Sequence, residues 1–303
     1  MTELALLFGQ AFNGISVASI LLLTALGLAL SFGTMGVINM AHGELLMMGG
    51  YLTYMTLLVL PHGIGYPIGM GVAFAGTAIF GAFLEATLIR RLYGRALDTL
   101  LATWGVSLIL QQGARSIFGP IGDEVTAPPW LAGSFAIKGG MLRGFELPMV
   151  RLFIIAVAIL VLGALAMAIA RTRVGMLVQA VNQDREMAEA LGVNTRLMDL
   201  GVFAIGSGIA GLAGSALALI APVTPTVGQS YIVYAFLVVI VGGLGSVLGT
   251  TLAAIVVGMF SAGCQIFASV STSDVLLLLF VIAFIQIRPR GIVSVSSRSL
   301  EGG

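Results

Sequence analysis

Residues 149–170 read Met149-Val150-Arg151-Leu152-Phe153-Ile154-Ile155-Ala156-Val157-Ala158-Ile159-Leu160-Val161-Leu162-Gly163-Ala164-Leu165-Ala166-Met167-Ala168-Ile169-Ala170. One charge, Arg151, interrupts the run. It is apolar on every face, and it is far too long for a buried strand. A helix needs about 20 apolar residues to cross the hydrocarbon of a bilayer. There, each backbone N–H and C=O must find its partner inside the segment. This stretch therefore predicts a membrane-spanning helix.

Working outward, similar runs occupy 11–31, 44–60, 67–90, 99–119, 198–220, 230–245, 246–264 and 273–288. Several are short or merge through glycine, which gives eight or nine spans. A β-barrel would need alternating apolar and polar residues, and these runs do not alternate. Composition agrees. The 303 residues are 58% hydrophobic and 9% charged, with mean hydropathy +1.08, whereas soluble domains carry roughly 25% charged residues. The expected fold is an all-α polytopic membrane protein: a single transmembrane domain over 1–303, with the lipid bilayer as its solvent.

Composition also excludes functions. A net charge of +1 provides no basic field for nucleic acid. The lone Cys264 permits no internal disulfide or cysteine metal cluster, and reads as a small apolar filler. Met1 to Gln10 lacks a positive n-region, so the first apolar stretch reads as a retained helix. HExxH, CxxC and GxSxG are absent, and no catalytic set or metal site is recognisable. The single lysine, Lys138, sits in no phosphate-binding loop. No cofactor is expected on this chain.

Arginines set the expected orientation. Arg90, Arg91 and Arg95 follow the third span. Arg171, Arg173, Arg185 and Arg196 follow the fifth, and Arg288, Arg290 and Arg298 follow the last. With all three clusters in the cytoplasm, the N-terminus lies outside and the C-terminus inside. The proline-containing segment 120–148 then becomes an external loop. The first half, about 11–119, and the second, about 198–288, would be related by inversion, a transporter signature. The cytoplasmic segment 171–199 lies between them.

Three regions stand out. Asn39-Met40-Ala41-His42-Gly43-Glu44 lies between apolar runs, and charge at that depth costs roughly 2.5–3.5 kcal/mol on insertion scales. Gly33, Gly36 and Gly43 predict a broken helix whose freed backbone groups suit a polar solute. Asn39, His42 and Glu44 are thus substrate-pathway candidates; equally, Asn39 and Glu44 serve to cap a helix start. The other histidine, His62, reads as a solvated residue of a Pro-Gly turn. In the second half, Gln229 and Tyr231 are the counterpart candidates. Third, 182–192 reads as a short helix started by Asn182 or Asp184 and stopped by Gly192. Its residues Arg185, Glu186, Met187, Glu189 and Leu191 belong to a docking helix for a soluble partner, with Met187, Ala190 and Leu191 on one face. Elsewhere, Gly206, Ala210 and Gly214, together with Ser207, Gly211 and Ser215, predict close helix packing. Gly242-Gly243-Leu244-Gly245-Ser246 predicts a break.

The stretch Gly36 to Glu44 resembles the first-half signature of LivH-type permeases of ABC importers. So do 180–194, the glycine-alanine run 206–214, and Gly242 to Ser246. That resemblance implies an importer in the bacterial inner membrane. It would combine this chain with a homologous second permease, two cytoplasmic ATP-binding subunits and a periplasmic solute-binding protein. ATP would be hydrolysed on the partners, and Asn182 to Gly192 would seat in an ATPase groove. Met40, Gly228 to Val233 and Phe284 to Gly291 look more like the urea branch; Tyr234 departs from the acidic residue expected there. The implied solute is urea or a related small amide. Branched-chain amino acids are the alternative. A stand-alone channel or ion-coupled transporter is the competing class.

Overall fold

The computed structural model describes residues 3–136 and 146–293. Lys138 and Arg298 lie outside the described residues. Eleven α-helices account for nearly all of the described chain: α1 (Glu3–Met35), α2 (His42–Val59), α3 (His62–Thr87), α4 (Ala96–Phe118), α5 (Met149–Arg171), α6 (Arg173–Gln183), α7 (Arg185–Ala190), α8 (Thr195–Ala218), α9 (Val227–Gly242), α10 (Val247–Cys264) and α11 (Val270–Ile287). The nine apolar runs of the sequence correspond to α1–α5 and α8–α11.

Six of these helices are both long and apolar enough to cross a membrane, and α9 is a shorter apolar helix. The difference from eight or nine spans lies in α2 and α4. These two carry inward-facing polar residues, Glu44 and Thr53 on one, Thr99, Thr103, Ser107 and Gln111 on the other. The segment 120–148 is not wholly loop. Ser134–Ala136 (β1) pairs antiparallel with Glu146–Pro148 (β2), Phe135 opposite Leu147, and leads directly into α5. His62 begins α3 rather than lying in a turn.

Helix breaks fall where glycine was expected to make them. Gly36 adopts φ +61° between α1 and α2, and Gly243 and Gly245 adopt +100° and +79° between α9 and α10. Only glycine enters this region without steric cost. Helix α8 lies at the centre, against α1, α2 and α3, because its small residues leave no gap for side chains. Gly206 faces Gly27 of α1, Gly211 faces Thr77 of α3, and Gly214 faces the Leu46 carbonyl of α2.

The first turns of α2 and α9 meet at Gly43 and Gly228. Beyond that point, Gly50 of α2 touches Val223 on the chain entering α9, while Gly245, just past α9, touches Gly33 near the end of α1. The two helices therefore start together and run in opposite directions. Exchanging α1 with α8, α2 with α9 and α3 with α10 maps the principal packings onto one another: α3–α8 onto α10–α1, and α2–α3 onto α9–α10. Halves related by inversion would pack in this way.

Candidate functional site

The break after α1 holds its polar groups with few bonds to spare. Asn39 is fully buried; its Oδ1 accepts from the Ala41 amide at 3.0 Å, and its Nδ2 has no partner. The Met40 amide donates to Thr103 Oγ1 on α4 at 3.1 Å. His42 turns the other way, its Nε2 lying 3.0 Å from the Thr24 carbonyl of α1. Glu44, 1% exposed, turns toward α4. Its Oε1 accepts from the Ser107 hydroxyl at 2.9 Å and from the Gln111 amide at 2.8 Å, while Oε2 has no partner. Further along the same face of α2, Tyr51 stacks on Phe118 of α4 with ring centroids 4.1 Å apart, and Tyr54 bonds Asp123.

The second-half candidates lie differently. Gln229 is exposed in the first turn of α9, and Tyr231 is half-buried against Tyr234 at 6.5 Å. The backbones of the two helix starts touch, yet among the described residues no hydrogen bond joins Gln229 or Tyr231 to Asn39, His42 or Glu44. Instead, Ser107 and Gln111 complete the Glu44 cluster. Their sequence signal was the four-residue spacing of Thr99, Thr103, Ser107 and Gln111, which places all four on one side of α4. Tyr234, which stands where an acidic residue was expected, hydrogen-bonds Asp274 of α11.

The expected helix over 182–192 is α7, shortened to Arg185–Ala190, and a separate helix, α6, precedes it over Arg173–Gln183. Asn182 lies inside α6 and starts nothing; it lines a cavity of about 380 Å3 with Thr34, Gln179 and Gln183. Asp184 is the N-cap of α7, its Oδ1 accepting from the Met187 amide at 2.9 Å. Gly192 follows with φ +86°. Glu186, Met187, Glu189, Ala190 and Leu191 are exposed, Leu191 at 78%. Met187, Ala190 and Leu191 thus form a small outward apolar face flanked by Glu186 and Glu189.

Arg185 faces inward instead. It pairs with the fully buried Asp199 of α8 at 2.5 Å and lies 5.5 Å over the Tyr93 ring. The Tyr93 hydroxyl donates to Glu85 Oε1 at 2.9 Å, and Arg90 pairs with Glu85 Oε2 at 2.8 Å. Burial, followed by the charges of Asp199 and Glu85, pushes the Tyr93 phenol upward, so it stays protonated as a donor. This network ties α7 to α3 and α8. Sequence reading placed Arg185 in the docking set and passed over Glu85, Tyr93 and Asp199. The last two were legible only as isolated polar residues near span ends.

The end of the bundle holding this network also carries Arg91, Arg95 and Arg196 beside Arg90 and Arg185, whereas Arg115 and Arg151 lie toward the other end. Tyr93 reaches the end of α1 at Met35, and the amides of Ile292 and Val293 bond the last carbonyls of α9. At the opposite end, the Trp130 indole donates to the Gly63 carbonyl, and Asp123 pairs with Val223.

Residues 10–285 match the family model described as branched-chain amino acid transport system / permease component. The chain belongs to this permease family. It is 30% identical, over 97% of both chains, to the high-affinity branched-chain amino acid transport system permease protein BraD of Pseudomonas aeruginosa. It is 26% identical, over 94% of both, to LivH of Escherichia coli, which carries the same description. The fructose import permease FrcC of Rhizobium meliloti matches 32% of this chain at 36% identity. No solved structure matches. The permease family fits the geometry: long apolar helices, glycine breaks between them, and polar groups within the bundle.

Proposed function

We propose that this chain translocates branched-chain amino acids as one permease of an ABC importer. The observation that carries this reading is the match over nearly the whole of both chains to two branched-chain amino acid permeases. The site supports it, since the free Oε2 of Glu44 is an acceptor that suits an α-ammonium group. The exposed face of Met187, Ala190 and Leu191 supports partner ATPases at the arginine-rich end. That end would be cytoplasmic, leaving the opposite end to a periplasmic binding protein. A second permease, a copy or a homologue, would complete the pathway. A stand-alone channel would leave the α7 face without purpose.

Urea remains the second reading. Glu44 is hydrogen-bonded to neutral groups alone, Ser107 and Gln111, and such a cluster also suits a neutral amide. Uptake of labelled leucine and labelled urea, in cells carrying the whole transporter with and without this gene, decides between them. Gene-dependent, ATP-dependent leucine uptake is expected. Gene-dependent urea uptake alone would transfer the assignment to urea, and uptake that persists without the ATPases would favour a channel.

A further inference from the structure

Two buried carboxylates at the α7 end of the bundle belong to separate ion pairs. Glu85, near the end of α3, is held by Arg90, whose Nε donates to Oε1 at 3.1 Å and whose Nη2 donates to Oε2 at 2.8 Å. Asp199 of α8 is held by Arg185 of α7. Both carboxylates are fully buried. Tyr93, which follows the turn after α3, touches both pairs. Its hydroxyl donates to Glu85 Oε1 at 2.9 Å, and the Arg185 guanidinium lies 5.5 Å from its ring centre. Glu85 does not need this phenol, because both its oxygens already accept from Arg90. Buried ion pairs add little net stability, and their best-attested use is to fix one arrangement of the chain.

Tyr93 also reaches a third element. Its hydroxyl lies 3.5 Å from Sδ of Met35, the last residue of α1. The next residue, Gly36, stands at φ +61° with open space where a side chain would be. Val37 is then buried with Leu84, Ile89 and Phe203, and Met35 and Tyr93 pack against that cluster. From Val37 the chain runs through Asn39 to the start of α2 at His42. Hinge motions are absorbed by a few residues at the ends of elements, and a glycine with room around it turns at least cost. Just before the break, Gly33 of α1 sits against Gly245. A displacement at Met35 is therefore taken up at Gly36 rather than along α1.

We propose that Tyr93 is the positioning residue that carries movement of α7 to the break between α1 and α2. Arg185 moves with α7 and draws the Tyr93 ring. The Tyr93 hydroxyl and the cluster around Val37 pass the shift to Met35 and Gly36. The start of α2, where Gly43 meets Gly228, then moves with the docking helix. The inference rests on the permease reading above, in which a partner ATPase moves α7.

The test uses the complete transporter in proteoliposomes, in a Cys264→Ala background that carries Ile38→Cys within the break. Reaction of that thiol with a small water-soluble methanethiosulfonate is timed with and without ATP and vanadate. ATP should change the rate about fivefold or more, the lower end of ordinary coupling between sites. Tyr93→Leu should abolish the change. Tyr93→Phe, which leaves Glu85 fully paired to Arg90, should reduce it, keep its melting temperature and its bound ATPases, and carry less leucine per ATP hydrolysed. A purely structural tyrosine would instead lower the melting temperature and leave the ATP response of the folded protein intact. An ATP response unchanged in both variants, or absent with Tyr93 in place, overturns the proposal. Failure of ATPases to copurify with the chain overturns the permease reading, and the inference falls with it. Carriage of urea rather than leucine changes the substrate alone; the thiol reaction needs no solute and still decides the role of Tyr93.

Discussion

Gly43 and Gly228 meet backbone to backbone, each lying where a side chain on the other would have to go. The contact joins the starts of the two helices that run oppositely through the bundle. It brings the two halves to one point without using any side chain.

A methyl group at either position would overlap the other's carbonyl. Overpacking of this kind costs about 1–3 kcal/mol. Gly43→Ala and Gly228→Ala should each lower the thermal stability of the detergent-solubilised protein and reduce its level in the membrane. Gly113→Ala on α4, which meets open space, should leave both unchanged. Equal behaviour of all three variants would show that the close approach does not hold the halves together.

Arg185 and Asp199 should behave as a unit. Removing one partner leaves a buried charge unpaired, which costs about 3–5 kcal/mol when burial is complete, and less here because Arg185 is 35% exposed. Arg185→Ala should reduce uptake at least tenfold while the ATPases continue to hydrolyse ATP. Asp199→Asn combined with Arg185→Gln should recover part of the loss. A double variant no better than the worse single would argue against direct coupling of the pair.

The exposed face of α7 should matter to coupling and not to folding. Substitutions on solvent-facing positions usually change stability within about 0.5 kcal/mol. Leu191→Asp should therefore insert normally, retain its melting temperature and lose solute-dependent uptake. Full uptake by this variant would remove the docking role.

Asp184→Ala tests whether α7 must be a helix. Loss of an N-cap costs about 1 kcal/mol, a large share for six residues that have Asp184 as their only side-chain cap. Uptake should fall several-fold, and Asp184→Asn should rescue it because asparagine also caps. Loss of uptake in both variants would point to the carboxylate charge rather than the cap.

Sidedness follows from the arginine clusters. A thiol introduced by Ala190→Cys, in the Cys264→Ala background, should react with an impermeant reagent in inside-out vesicles and not in intact cells. The opposite result would invert the topology.

Much of this arrangement was legible in the sequence. Apolar runs too long for strands pointed to eight or nine helices, because lipid leaves the backbone no other partner than itself. Gly36 and the Gly242–Ser246 stretch marked both breaks, since only glycine enters the left-handed region freely. Asp184 and Gly192 marked α7 by the ordinary chemistry of helix ends. Asn182 was misread as a start because caps are local signals that several neighbouring residues can satisfy; α6 simply continues through it. The β1–β2 ribbon was missed because three-residue strands carry almost no periodic signal.

The sequence by itself determined the apolar helices, their order, and which polar residues had to be explained at membrane depth, but not α6. The tertiary structure decided which of those residues meet. Gln229 and Glu44 are alike in sequence setting, each one residue past a glycine at the start of a broken helix. Folding buries Glu44 against Ser107 and Gln111 and leaves Gln229 exposed. The reason is that a helix fixes only which side of itself a residue occupies, while the neighbour on that side is set by packing across the chain. Glycine contacts between distant helices, such as Gly27 with Gly206, determine that packing.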